Sequence, residues 1–71
     1  MIHIGAEIRR IVKEQKCTSA WLARQLNCSR TKVYNIYSQQ SIDTNTLRQI
    51  STILNVDLFL ILSQDFAKSH S

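Results

Sequence analysis

Residues 18–37 read TSAWLARQLNCSRTKVYNIY, and this stretch decides the fold. Apolar side chains recur in each half at three- or four-residue spacing, which is the spacing of a helix that buries one face. These positions are Leu22, Ala23, Leu26, Val33 and Ile36. Between the halves stands Asn27-Cys28-Ser29, a run of turn-forming and capping residues. The stretch therefore predicts two short helices joined by a tight turn.

The second of these helices carries polar and aromatic side chains on the face opposite its apolar positions. They are Arg30, Thr31, Tyr34, Asn35 and Ser38. Two helices joined by a short turn, with such a face on the second, form a helix-turn-helix whose second helix suits the major groove of DNA. Nothing else in the chain suggests a chemistry.

Four helix starts share one pattern, in which an apolar residue precedes a capping residue and another apolar residue follows four positions after the cap. They are Cys17-Thr18 with Leu22, Cys28-Ser29 with Val33, Ile42-Asp43 with Leu47, and Val56-Asp57 with Ile61. Before them, apolar residues at helical spacing predict a first helix. We expect five helices, near residues 4–15, 19–26, 29–38, 44–54 and 58–65.

Length and composition indicate one small all-α domain, residues 1–71, with a tail at 67–71 that we expect to fray. One Gly and no Pro leave little material for hairpin turns. The net charge of +4 is uneven, because residues 1–48 hold eight basic and three acidic residues and the remainder is slightly acidic. A basic front suits a polyanionic partner, although a soluble surface with mild excess charge is an equally good explanation.

Several classes of protein are disfavoured by the sequence. Cys17 and Cys28 show neither metal-ligand spacing nor a Cys/His cluster, so we expect reduced thiols, no metal and no cofactor. The start lacks the pattern of a signal peptide, and the longest apolar run, 58–62, is too short to span a bilayer. No catalytic arrangement is visible. These features favour a cytoplasmic protein that is not an enzyme.

The helix-turn-helix residues resemble the Cro-type, lambda-repressor-like family, often called XRE. The resemblance rests on Leu22-Ala23, on Cys28-Ser29 followed by Val33 and Ile36, and then on Thr46-Leu47, Ile50 and Leu54-Asn55-Val56. It covers nearly the whole chain. It implies a compact five-helix DNA-binding domain with the helix-turn-helix at helices two and three.

The sequence departs from the family's pattern in three ways. Asn27 stands where the family usually has Gly in the turn, and Asn tolerates a left-handed backbone better than most residues. Ser19 replaces a Gln that often contacts a backbone phosphate. Val12 and Tyr37 occupy the positions of an Arg–Glu ion pair, so we expect an apolar contact between them.

The motif assigns two sets of DNA-contacting residues. Base-reading residues are expected on the second helix of the motif: Arg30, Thr31, Tyr34 and Asn35. Phosphate-binding residues are expected around it: Thr18, Ser19, Arg24, Lys32, Ser38, Asn45 and Arg48. The alternatives are that the polar side chains are merely solvated, that Tyr34 packs on the protein surface, and that Thr18 is only a structural cap.

The resulting hypothesis is a sequence-specific regulator of transcription, encoded by a bacterium or phage, that occupies an operator on double-stranded DNA as a homodimer. Helix five is apolar nearly all round, so Phe59, Leu62 and Phe66 are the expected dimer interface. The alternative is a monomer in which Phe59 or Phe66 folds back over helix one. A second functional hypothesis is a protein-interaction module on the same fold, such as an antitoxin or a regulator adaptor, that docks through residues 58–62.

Overall fold

The computed structural model describes residues 3–70, with side chains for residues 3–64. Five helices follow one another, and no strand occurs in the described residues. They are α1 (Ile4–Glu14), α2 (Ser19–Leu26), α3 (Arg30–Ser38), α4 (Thr44–Leu54) and α5 (Leu58–His70). The predicted all-α, five-helix architecture is confirmed. The exception is α5, which runs past its predicted end near residue 65 and includes residues 67–70, because no Gly or Pro follows Leu58 to stop it.

The predicted caps open α2 to α5. Each cap side chain accepts a hydrogen bond from the backbone amide three residues later, at 3.0 Å for Thr18, 3.2 Å for Ser29, 3.1 Å for Asp43 and 2.9 Å for Asp57. The apolar residues that precede these caps are half-buried against the core: Cys17, Cys28, Ile42 and Val56. The cap and its apolar neighbour thus set where each helix begins and how the chain enters it.

Left-handed residues end three of the helices. Lys16, Asn27 and Asn55 have φ angles of 59°, 55° and 55°. After each one, the next backbone amide donates to the carbonyl five residues earlier, as Cys28 does to Ala23 at 2.9 Å. This is the Schellman termination, which satisfies carbonyls that the helix leaves free. The expectation that Asn27 supports the turn is confirmed.

The core is built from the inward faces of all five helices. Its buried side chains are Ile4, Ile8, Ile11, Val12, Leu22, Ala23, Val33, Ile36, Leu47, Ile50, Leu54 and Leu58. In this arrangement α1 packs on α3, α2 packs on α3 and α4, and α5 packs on α4. No polar or charged residue is buried among the described side chains. The apolar side of α3 therefore packs against α1 and α2, and its opposite side is exposed to solvent.

The start of α1 lies directly against the end of α3. The Gly5 amide donates to the carbonyl of Gln39 at 3.0 Å, and the Ile4 amide donates to that of Gln40 at 3.3 Å. A Cβ on Gly5 would collide with three carbonyl oxygens, of which that of Gln39 would be 2.6 Å away. The only glycine of the chain thus permits two helix ends to meet backbone to backbone.

None of the helices described is long and apolar enough to cross a membrane.

Candidate nucleic-acid interface

The two faces of α3 differ sharply. Val33 and Ile36 are 0% and 3% exposed and fix the helix to the core. The predicted base-reading residues all lie on the exposed side: Arg30, Thr31, Tyr34 and Asn35. Tyr34 is 56% exposed, although its ring also contacts that of Tyr37. The structure brings these four side chains together along one rigid helix.

Five of the predicted phosphate-binding residues lie directly before α2, on α2 or on α3. Arg24 and Lys32 are exposed on either side of the turn in sequence. Thr18 uses its hydroxyl oxygen to cap α2 and remains exposed, so its capping role is confirmed while a phosphate contact stays a prediction. Ser38 is exposed too, and its hydroxyl donates to the Asn35 carbonyl at 2.8 Å.

Ser19 has a partner that the sequence did not suggest. Its Oγ lies 3.2 Å from the Tyr37 hydroxyl, and either oxygen can be the donor. Tyr37 is half-buried and its ring meets that of Tyr34 edge to face, with centroids 6.1 Å apart. Tyr37 and the buried Val12 both belong to the core packing, while their direct contact stays a prediction. The hydrogen bond joins α2 to the end of α3.

The other two predicted phosphate-binding residues belong to α4. Asn45 and Arg48 are exposed, as a phosphate contact requires. Arg48 lines a shallow groove of about 440 Å³ between α2 and α4, together with Leu26 and Ile53. No residue of α3 lines this groove, and a phosphate contact of Arg48 stays a prediction.

A second groove, of about 350 Å³, runs between α1 and the end of α3. Its lining consists of Ala6, Arg9, Arg10, Lys13 and Tyr37. Sequence reasoning did not assign these residues to the interface. The available signals were the four-residue spacing of Arg9 and Lys13, which places both on one helix face, and the expected packing of Tyr37 against α1.

Hydrogen bonds shift the pKa values of two charged side chains, Arg10 on α1 and Asp43 at the start of α4. Arg10 pairs with Glu7 at 2.7 Å and with Glu14 at 2.6 Å along α1, and these hydrogen bonds raise the pKa of the Arg10 guanidinium. At the start of α4, hydrogen bonds from the Thr46 hydroxyl and amide lower the pKa of the Asp43 carboxyl. Arg10 is thus engaged in ion pairs within its own helix, and the Asp43 carboxylate that caps α4 is held ionised.

Residues 7–59 match the family model of the Cro/C1-type HTH DNA-binding domain. The match takes in most of α1, the whole helix-turn-helix, α4 and the start of α5. The chain belongs to the Cro/C1-type helix-turn-helix DNA-binding family. No match was found among curated proteins or among solved structures. DNA is accordingly the partner of this Cro/C1-type domain, and α3 is the second helix of its motif.

In this Cro/C1-type domain, the apolar residues of α5 are divided between the core and the surface. Leu58 is buried, and Ile61 and Leu62 are half-buried against the core. Phe59 and Leu60 are 41% and 52% exposed. Leu62, which was expected at a dimer interface, is thus partly used by the domain's own core, and the side chain of Phe66 lies outside the described residues.

The described part of the Cro/C1-type domain holds no group of three or more His, Cys, Asp and Glu residues that could bind a metal ion. Cys17 and Cys28 are free and half-buried.

Proposed function

We propose that the protein is a sequence-specific regulator of transcription that acts by occupying an operator on double-stranded DNA. The observation that carries this proposal is the outer face of α3. Four side chains with complementary base-reading chemistry are exposed in a row there, on a helix whose other side is fully buried. A helix fixed in this way can hold those side chains in register with successive base pairs.

Each of the four side chains has a base partner of matching chemistry. Arg30 follows the Ser29 cap, at the end of α3 that enters the groove first, and its guanidinium can bond O6 and N7 of guanine together. Asn35 can pair in the same bidentate manner with N6 and N7 of adenine. Thr31 and Tyr34 can contact a thymine methyl group or a base edge. This set provides discrimination between base pairs.

Contacts to phosphates position the helix without reading sequence. The free amides at the start of α2, next to Thr18 and Ser19, form a natural anion site. Arg24 and Lys32 are exposed cations beside the turn. The remaining members of the set are Ser38, Asn45 and Arg48. Because Ser19 and Tyr37 are hydrogen-bonded to each other, the two hydroxyls together have one proton left to donate to a phosphate.

The regulator acts as a homodimer through α5. Phe59 and Leu60 leave an apolar face uncovered, and a second copy is the simplest cover for it. Leu62 and Phe66 extend the same interface. A two-fold axis there sets the two α3 helices about 34–36 Å apart, one turn of DNA.

The exposure of Phe59 and Leu60 also supports a second candidate, a protein-interaction module such as an antitoxin or an adaptor. In that case α5 receives a different protein. The α3 face distinguishes the two candidates, because a pure interaction module has no need of Arg30, Thr31 and Asn35 together. Retention on duplex DNA at moderate salt favours the regulator.

Selection of bound sites from a pool of random duplexes tests the proposal. We expect an enriched motif with two-fold symmetry. An Arg30→Ala/Asn35→Ala variant, with a circular dichroism spectrum that matches the parent, serves as the control and should lose the enrichment. A pool without enrichment would contradict sequence-specific binding, whereas a single asymmetric motif would contradict only the homodimer.

A further inference from the structure

The groove between α1 and α3 has the chemistry of an anion site. Arg9 and Lys13 line it one helical turn apart, with Tyr37 at its other wall. Both cations are exposed, and within the described side chains the ion pairs on α1 involve Arg10 instead. Arg10 pairs with two carboxylates, those of Glu7 and Glu14, so these three residues sum to −1. The two charges of Arg9 and Lys13 make the sum over α1 +1, so the positive charge beside the groove comes from them.

Tyr37 makes this groove continuous with the DNA-binding surface. Its hydroxyl is 3.2 Å from Ser19 at the start of α2, and its ring contacts Tyr34 on the outer face of α3. One side chain therefore borders the basic groove, the anion site at the α2 amides and the base-reading helix. Through Tyr37 the groove adjoins the start of α2, so a DNA strand bound at the start of α2 continues past the groove.

We propose that Arg9 and Lys13, with the Tyr37 hydroxyl, bind a backbone phosphate of the same DNA strand, one step beyond the phosphate at the start of α2. The occupant is a DNA phosphate because the groove is basic and is continuous with the interface of a DNA-binding family. Such a contact extends the footprint along α1 and carries no base preference. This inference rests on the proposed function, since the phosphate belongs to the duplex that α3 reads.

The first test is the salt dependence of duplex binding by an Arg9→Gln/Lys13→Gln variant. Gln keeps the helix propensity of both exposed positions while it removes two charges. The variant no longer neutralises the phosphate in the groove. The magnitude of the negative slope of log K against log salt should therefore decrease by about 0.9. The reduction in affinity should be equal for the selected site and for random duplex. An unchanged slope would overturn the groove site while the binding itself upholds the proposed function.

A matched control separates the groove from net charge. Adding Ser63→Lys and Gln64→Lys to the variant restores the charge at exposed positions on α5, which packs on α4. If the groove matters, the slope stays low; if it returns to the parent value, net charge alone explains the change and the proposal is wrong.

The second test starts from the unmodified protein, so its first result does not depend on how the variants fold. Each phosphate of the selected duplex is replaced in turn by an uncharged methylphosphonate, and the affinity is measured. At the flank that contacts the start of α2, we expect two adjacent phosphates on one strand whose replacement weakens binding. In the Arg9→Gln/Lys13→Gln variant, replacement of the outer one should no longer weaken binding. A single sensitive phosphate at that flank would overturn the groove site. Failure of the unmodified protein to bind any duplex would instead overturn the proposed function.

Discussion

Gly5→Ala should destabilise the domain severely, although alanine is the better helix former. The new Cβ would meet the carbonyl oxygens of Ile36, Tyr37 and Gln39, and all three belong to backbone rather than to flexible side chains. The start of α1 must then move away from the end of α3. That movement stretches the hydrogen bonds that Ile4 and Gly5 donate to the Gln40 and Gln39 carbonyls.

The magnitude follows from three contributions. Forcing an extra methyl group into a packed contact costs about 1–3 kcal/mol. Weakening two backbone hydrogen bonds adds about 0.5–1.5 kcal/mol each. Against this, replacing Gly by Ala inside a helix gains about 1 kcal/mol. The net loss in the free energy of unfolding lies between about 1 and about 5 kcal/mol, centred near about 3 kcal/mol. For a domain of this size that central value lowers Tm by about 12–24 °C.

The assay is urea denaturation followed by circular dichroism, with thermal melting in parallel. Ala6→Gly is the matched control, because Ala6 is exposed in the same helical turn and loses only helix propensity, about 1 kcal/mol at most. Gly5→Ala must therefore be worse than Ala6→Gly. If Gly5→Ala were neutral or stabilising, the backbone contact between α1 and α3 would be wrong.

The remaining predictions concern binding, pH, strain and assembly. Arg30→Ala should weaken specific binding by about 1–3 kcal/mol and relax preference at one base pair, as measured by titration against every substitution there; equal weakening at all sequences would leave Arg30 only a phosphate contact. Asp43 has a lowered pKa in the folded state, so its contribution to stability is present above its ordinary pKa of 3.8 and is lost as pH falls through the folded value. Urea titrations between about pH 6 and about pH 3 should therefore show the advantage of the parent over Asp43→Asn, which still caps the helix, shrinking towards low pH. Lys16→Gly should stabilise the domain by about 0.5–1 kcal/mol, because Lys16 has a φ of 59°, whereas Lys16→Ala should bring no such gain. Phe59→Glu should leave a folded protein that sediments as a monomer and binds half-sites singly; cooperative binding to a palindrome by this variant would place the dimer interface elsewhere.

Local signals in the sequence predicted most of the fold. Caps such as Thr18 and Asp43 act on amides three residues away, and the turn at Asn27 depends on the left-handed tolerance of one side chain. Because these interactions are complete within a few residues, the printed sequence contains all that is needed to anticipate them. The same is true of the exposed face of α3, which follows from burial of Val33 and Ile36.

Contacts between distant residues were not predictable in this way. The close approach at Gly5 depends on carbonyls more than thirty positions away, and the Ser19–Tyr37 hydrogen bond joins residues 18 positions apart. The division of α5 between core and surface was not predictable for the same reason, since helical spacing alone does not say which of two apolar stripes meets α4. Only the packing shows that Leu62 lies towards the core and Leu60 away from it.

The departure at Tyr37 gains a physical meaning from the groove beside it. Many members of the family pair an Arg on helix one with a Glu at this position, but here the corresponding residues are Val12 and Tyr37. A carboxylate at position 37 would stand at the wall of a groove whose opposite side carries Arg9 and Lys13, and it would attract those cations and repel a phosphate. The Tyr37 hydroxyl adds no charge and can still donate a hydrogen bond. Absence of the ion pair therefore leaves the positive potential of the groove available to DNA, while Val12 and Tyr37 continue to pack against the core.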